Sequence, residues 1–221
     1  MWGRAGRAIV DATAPRWLVE RPMAFEPPRT YPDTRMIDGR QVTFRPMTAA
    51  DRQAVLDFAR KLPEHDLLFL RRDITQESAV DEWIGEIARD EVFTILALSG
   101  GAVIGYATIH RNHLRWTAHV AELRVMVAES ARGLGLGRML TQEAFANALG
   151  MGIEKMAAQM TMDQKGAIAV FQGLGFRPEA ILRDQVKDRA GQKHDLLVLS
   201  HDVSKFEREQ RAYGIDRAFG P

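Results

Sequence analysis

Residues 132–138 read Arg-Gly-Leu-Gly-Leu-Gly-Arg, three alternate glycines between two apolar segments of different period. Before them, Leu123 to Val127 is a short apolar run that reads as a strand. After them, Met139, Leu140, Ala144, Phe145, Ala148 and Leu149 fall on one side of a helix that stops at Gly150. A glycine-rich turn from a strand into a helix N-terminus is a structure for holding phosphate. The first helical N–H groups have no intrahelical partner, the helix dipole turns its positive end to the ligand, and glycine lets an anion approach the backbone. A connector with no ligand is the plain alternative for three glycines alone.

Two familiar nucleotide loops do not fit. The dinucleotide fingerprint G-x-G-x-x-G needs its third glycine one residue later than Gly137, and a βαβ unit around it. A Walker loop ends in Gly-Lys-Ser/Thr, whereas Gly137 is followed by Arg138-Met139. The spacing Arg132-x-x-Gly135-x-Gly137 instead resembles the Q/R-x-x-G-x-G/A signature of the GNAT superfamily of acyl-CoA-dependent N-acyltransferases. About 40 residues downstream, Ala167 to Phe176, ending Leu-Gly-Phe, resembles that family's second landmark. The resemblance covers Val42 to about Val203.

The resemblance implies an α/β fold with a central mixed, mostly antiparallel sheet of six to seven strands, flanked by about four helices. It also implies acetyl-CoA as co-substrate and a primary amine as acceptor, with a homodimer left open. The backbones of Val125, Met126 and Val127 would receive the pantetheine arm. The loop of Arg132, Gly133, Leu134, Gly135, Leu136, Gly137 and Arg138 would wrap the pyrophosphate. Gln164 stands where the family usually has Asn, and Phe171 where it usually has the Tyr that protonates the leaving thiolate; both are expected at the cofactor site.

Bulk properties narrow the alternatives. A formal charge of +1 implies no nucleic-acid or membrane field, and the absence of cysteine excludes disulfides, thiolate metal sites and a cysteine acyl-enzyme. No apolar run approaches the ~18 residues of a transmembrane helix, and the expectation is a cytoplasmic protein without a metal. Residues 1–40, with five of the nine prolines and seven arginines, read as an extension that wraps on the surface or stays mobile. Residues 41–203 read as the transferase domain and 204–221 as a tail.

Along the domain, Val42 to Arg45 alternates as a half-buried strand. Thr48-Ala49-Ala50-Asp51 is a capping-box pattern opening a helix to about Leu62, and Thr75 is the expected cap of a second helix. Phe93–Leu98, Ser99-Gly100-Gly101 and Ala102–Ile109 make a hairpin, and His119–Val127 the next strand. Glu154–Met162 reads as a strand, Asp163 as the cap of a helix to Leu174, and Leu182–Lys187 with Asp195–Leu199 as a last hairpin. Without the resemblance, this order argues only for an α/β mixed sheet.

Amine acylation needs a held thioester, a deprotonated amine, and stabilisation of the oxyanion and departing thiolate. Glu122, on the face shared by Arg124 and Met126, is the expected base; an Arg124-paired surface carboxylate is the competing reading. Phe171 cannot donate a proton, which leaves water or Tyr106 as donors. His110, His113 and His119 fit no metal spacing; on the acceptor side they would favour a carboxylate-bearing amine. His194 and Asp195 lie on opposite faces of a strand and so cannot readily pair. Two other readings remain: a non-catalytic acyl-CoA sensor, motivated by the missing tyrosine, and a structural partner domain that docks through the N-terminal extension.

Overall fold

Two apolar runs that do not alternate, Val92–Ser99 (β3) and Ala102–Arg111 (β4), demand burial on both faces, and they receive it at the centre of the sheet. The computed structural model describes residues 30–203, apart from residues 68, 69, 112, 113, 115 and 189. Around β3 and β4 lie Asp33–Ile37 (β1), Arg40–Pro46 (β2), Val120–Val127 (β5), Lys155–Thr161 (β6), Arg177–Lys187 (β7) and Lys193–Asp202 (β8). They form one sheet in the order β1-β2-β3-β4-β5-β6-β8-β7. Every neighbouring pair is antiparallel except β5–β6. The sheet is mixed and mostly antiparallel as expected, with eight strands rather than six or seven.

The additional strand is β1. It lies inside the segment expected as an extension, and it pairs with β2 from Asp33↔Phe44 to Ile37↔Arg40. Residues 1–29 and the tail 204–221 lie outside the described residues.

Among the described residues there are five α-helices: Arg52–Ala59 (α1), Glu64–Leu67 (α2), Glu77–Ala88 (α3), Leu136–Gly150 (α4) and Lys165–Gly173 (α5). One apolar cluster joins Phe145, Leu140 and Leu136 of α4 and Phe171 of α5 to Ile95, Ile109 and Leu123. A second, on the other face, joins Val55 and Phe58 of α1 and Trp83 of α3 to Leu96 and Tyr106. On β5, Leu123, Val125 and Val127 belong with the α4–α5 face and Met126 with the α1–α3 face, as the sequence alternation requires.

Local chemistry sets the helix starts. Asp51 Oδ2 accepts the Thr48 N–H at 2.8 Å, so the predicted capping contact exists, followed by a 3₁₀ turn at Ala49–Asp51 before α1. Arg45 clamps the same carboxylate at 2.8 and 2.6 Å and, by donating to it, holds it below the usual range. Thr75 is not the cap of α3, whose N-cap is Gln76; its N–H and hydroxyl both go to Asp73 Oδ1 in the preceding turn. Gln164, rather than Asp163, takes the N-cap position of α5. The helix α2 carries no sequence signal beyond Pro63 before it.

A buried carboxylate ties β1 to the far side of α4. Glu143, fully buried, accepts from Arg35 at 2.6 Å and from the Tyr31 hydroxyl at 2.7 Å, while Asn147 donates to that hydroxyl at 2.8 Å. Removing one partner of a buried pair leaves an uncompensated charge. Arg35→Met should therefore destabilise the fold by about 3 kcal/mol, toward the low end because the Tyr31 bond survives. Urea unfolding checks this, and a loss below about 1 kcal/mol would show that solvent already reaches Glu143.

Candidate active site

The parallel pair β5–β6 is hydrogen bonded at only three positions: Val120↔Lys155, Ala121↔Met156 and Glu122↔Ala157. Both strands continue. β5 stays paired with β4 as far as Gly105↔Val127, and β6 with β8 as far as Thr161↔Leu196. Beyond Glu122 the two strands therefore diverge, and the β5 backbone facing the gap has no strand to pair with. A cleft of about 850 Å³ occupies the opening, lined by Leu123 to Val127 on one side and Ala158, Gln159 and Met160 on the other.

The glycine loop closes one end of this cleft. Gly133 and Gly135 adopt φ of 78° and 77°, and Gly135 is the N-cap of α4. The first bond at this end of the helix runs from Met139 N–H to Gly135 O at 3.1 Å. The N–H groups of Leu136, Gly137 and Arg138 thus precede any intrahelical acceptor and face the cleft end. This arrangement fits a pyrophosphate: orphan amides, positive dipole end, and two positive-φ glycines that shape the turn.

The structure refines what the glycines do. A side chain added at Gly133 or Gly135 would meet no other protein atom within 4 Å, and both residues hold the left-handed backbone that favours glycine. Gly137 lies outside the left-handed region, and a Cβ there would stand 3.7 Å from the Val127 side chain.

Several expected residues meet at this cleft. Val125, Met126, Val127, Arg132, Gly133, Gly135, Leu136, Gly137, Arg138, Gln164 and Phe171 all line it, whereas Leu134 packs against the core instead. Phe171 is both wall and core: it stacks edge-on against Phe176 with centroids 4.8 Å apart. Arg132 ion-pairs with Asp66 of α2 and sends Nε toward Val127 O at 3.4 Å. His65, beside Asp66, places Nε2 2.9 Å from Asp163 Oδ2. The helix α2 therefore reaches both flanks of the cleft mouth. The sequence reading missed His65 and Asp66 as site residues, because a four-residue helix leaves no periodic signal, and read Asp163 only as a helix cap.

Glu122 stands at the apex of the divergence but does not line the cleft. Arg71 and Arg124 contact it at 2.6 and 2.7 Å. Burial works against its charge, but the two guanidiniums prevail and hold the carboxyl below its usual range. The ion-paired reading therefore describes its surroundings. Across β4–β5, Glu122 faces His110; His119 is exposed, and His113 lies outside the described residues. His194 and Asp195 take separate partners, Asp188 at 2.9 Å and the Asp184 N–H at 3.0 Å. Among the described residues, no group of three or more His, Cys, Asp or Glu is placed to hold a metal. Among them, no helix is long and apolar enough to cross a membrane.

Burial, reinforced by Arg71, drives the His110 imidazole down to about 4. The folded chain keeps it neutral at pH values where an unfolded histidine, near 6.5, takes up a proton. The unfolded state then binds more protons, so stability falls as pH drops from about 6.5 to about 4. Between pH 7 and 5 the loss from this group should be on the order of 1–2 kcal/mol. Urea titrations at the two pH values should show that increment in the wild type and not in His110→Gln; the same loss in both would place the proton elsewhere.

Comparison with known proteins agrees with this geometry. Residues 56–176 match the family model described as Acetyltransferase (GNAT) family. Phosphinothricin N-acetyltransferase of Streptomyces viridochromogenes is 28% identical over 176 residues, spanning 77% of this chain and 88% of its own length. Among solved structures, ribosomal-protein-alanine N-acetyltransferase from Brucella melitensis superposes with a TM-score of 0.65 at 26% identity, over 72% of this chain and 98% of that one. YncA from Salmonella typhimurium, solved with its cofactor acetyl-CoA, shares the fold with a TM-score of 0.64 at 21% identity, over 73% of this chain and 94% of that one. On the match of residues 56–176, the chain belongs to the GNAT acetyltransferase family.

Proposed function

We propose that this protein transfers an acetyl or other short acyl group from acyl-CoA to a primary amine by direct attack, without a covalent enzyme intermediate. The observation that carries this reading is the divergence of β5 from β6 beside an unpaired helix N-terminus. An extended pantetheine amide chain can hydrogen bond the open edge of β5 as a strand would, while its pyrophosphate meets the amides of residues 136–138. The bound thioester supplies an electrophilic carbonyl and a leaving group whose thiol has an ordinary pKa near 8.5.

The chain's own residues bind and orient. Val125, Met126 and Val127 present backbone groups to the arm, and Phe171 walls the cleft. The amine nitrogen attacks the thioester carbon, the C–S bond breaks, and the sulfur departs as thiolate, taking its proton from water because Phe171 has none to give. Glu122, at the apex, accepts the amine's proton through a water molecule. Its lowered pKa keeps it ionised across neutral pH, so the rise of rate with pH follows deprotonation of the acceptor amine. The relation to phosphinothricin N-acetyltransferase supports a small amine as acceptor.

Incubation with acetyl-CoA and an amine panel that includes phosphinothricin, following free thiol, tests the assignment. Turnover with at least one amine is expected; tight CoA binding without thiol release would make the protein a sensor. Glu122→Gln should lower kcat by roughly 10²–10⁴-fold with CoA affinity nearly intact. A change confined to KM would show that Glu122 only holds its arginines.

A further inference from the structure

Beside the cleft, on the α1–α3 face of the sheet, lies a smaller bay of about 30 Å³. Three guanidinium groups line it, from Arg71, Arg72 and Arg124, together with Tyr106 and His110, and no carboxylate does. Leu70, Tyr106 and Arg124 line both the bay and the cleft, so the two spaces share a wall. We propose that the bay is the acceptor's anion site: it takes the carboxylate of an amine whose nitrogen lies in the cleft.

Size and chemistry both select such a group. A water needs roughly 10–15 Å³ of this kind of space, so the bay holds about two oxygen-sized atoms. That is the span of a carboxylate, too small for an aromatic ring or a peptide. The donors around it are already oriented. Glu122 grips Arg71 and Arg124 at 2.6 and 2.7 Å, and Glu86 grips Arg72 at 2.5 Å; none of these carboxylates lines the bay. The planar guanidinium fork has the geometry that matches an oxyanion.

One group there lacks what burial ordinarily requires, beside Tyr106, which is 4% exposed and packed edge-on against Trp83 and Phe58. Arg72 Nη1 is buried without a hydrogen bond, with Glu82 3.5 Å away as its ion-pair partner. A buried donor without an acceptor costs free energy that a bound oxyanion recovers. The phenol also stays protonated, since burial pushes it well above its ordinary value, so Tyr106 has an O–H to donate at neutral pH. An amine lacking the oxyanion would leave the buried Arg72 donor without an acceptor, which makes the bay a determinant of specificity.

This proposal rests on the acyl-transfer reading, and the experiment separates the two. With saturating acetyl-CoA, each of a panel of α-amino acids is run beside its carboxamide, which keeps the amine and loses the oxyanion. The acids should exceed the carboxamides at least about tenfold in kcat/KM. Tyr106→Phe and Arg71→Met should each lower kcat/KM for the acids by about 10–100-fold, chiefly through KM, with CoA affinity retained as proof of folding. Carboxamides as good as acids, or a preference for acids that survives both substitutions, would overturn the bay. If no amine releases thiol, calorimetric titration of the amino acids into the protein–CoA complex decides. Carboxylate-dependent binding lost in both variants would uphold the bay while the transferase reading fails; its absence would overturn the bay.

Discussion

A strand that stops pairing with its neighbour inside a sheet leaves backbone donors and acceptors that must be satisfied by something. Here β5 separates from β6 after Glu122, while each keeps its other partner to the end. The cleft, the position of α4 and the placement of every site residue follow from that separation. The α4 helix begins at the open end, so its unpaired amides and the unpaired edge of β5 face one space. The apolar faces of α4 and α5 pack the same side of the sheet and keep the strands apart.

Several ion pairs frame this gap. Arg132 leans on Asp66, His65 meets Asp163, and Arg71 and Arg124 share Glu122. The Arg132–Asp66 pair joins the glycine loop to α2. The buried Glu143–Arg35–Tyr31 network fixes the opposite face of α4 to β1. A strand that lies far from the chemistry thus helps hold the helix that faces it.

Much of this was legible in the residues. The strand–glycine–helix transition, the Ser99-Gly100-Gly101 hairpin and the face alternation of β5 follow from period and turn chemistry. What escaped did so for physical reasons. The strand β1 is half-polar and gains its burial only by pairing with β2 and by sending Arg35 to Glu143, which sequence spacing does not reveal. The helix α2 is too short for periodicity, so His65 and Asp66 gave no signal. The bay collects Arg71, Tyr106 and Arg124 from three separate segments, a convergence visible only after the sheet is built. The positive φ of Gly133 and Gly135 is likewise visible only in the folded backbone.

The central claim is that the acyl-CoA arm completes the sheet along β5 and ends on the α4 amides. Amide chemical shifts and hydrogen exchange, recorded on the isotope-labelled protein with and without acetyl-CoA, test this most directly. The account predicts slowed exchange and large shifts for alternate amides between Leu123 and Val127 and for Leu136, Gly137 and Arg138, with the β7 edge strand unaffected. Saturable acetyl-CoA binding that leaves these amides unchanged would contradict it.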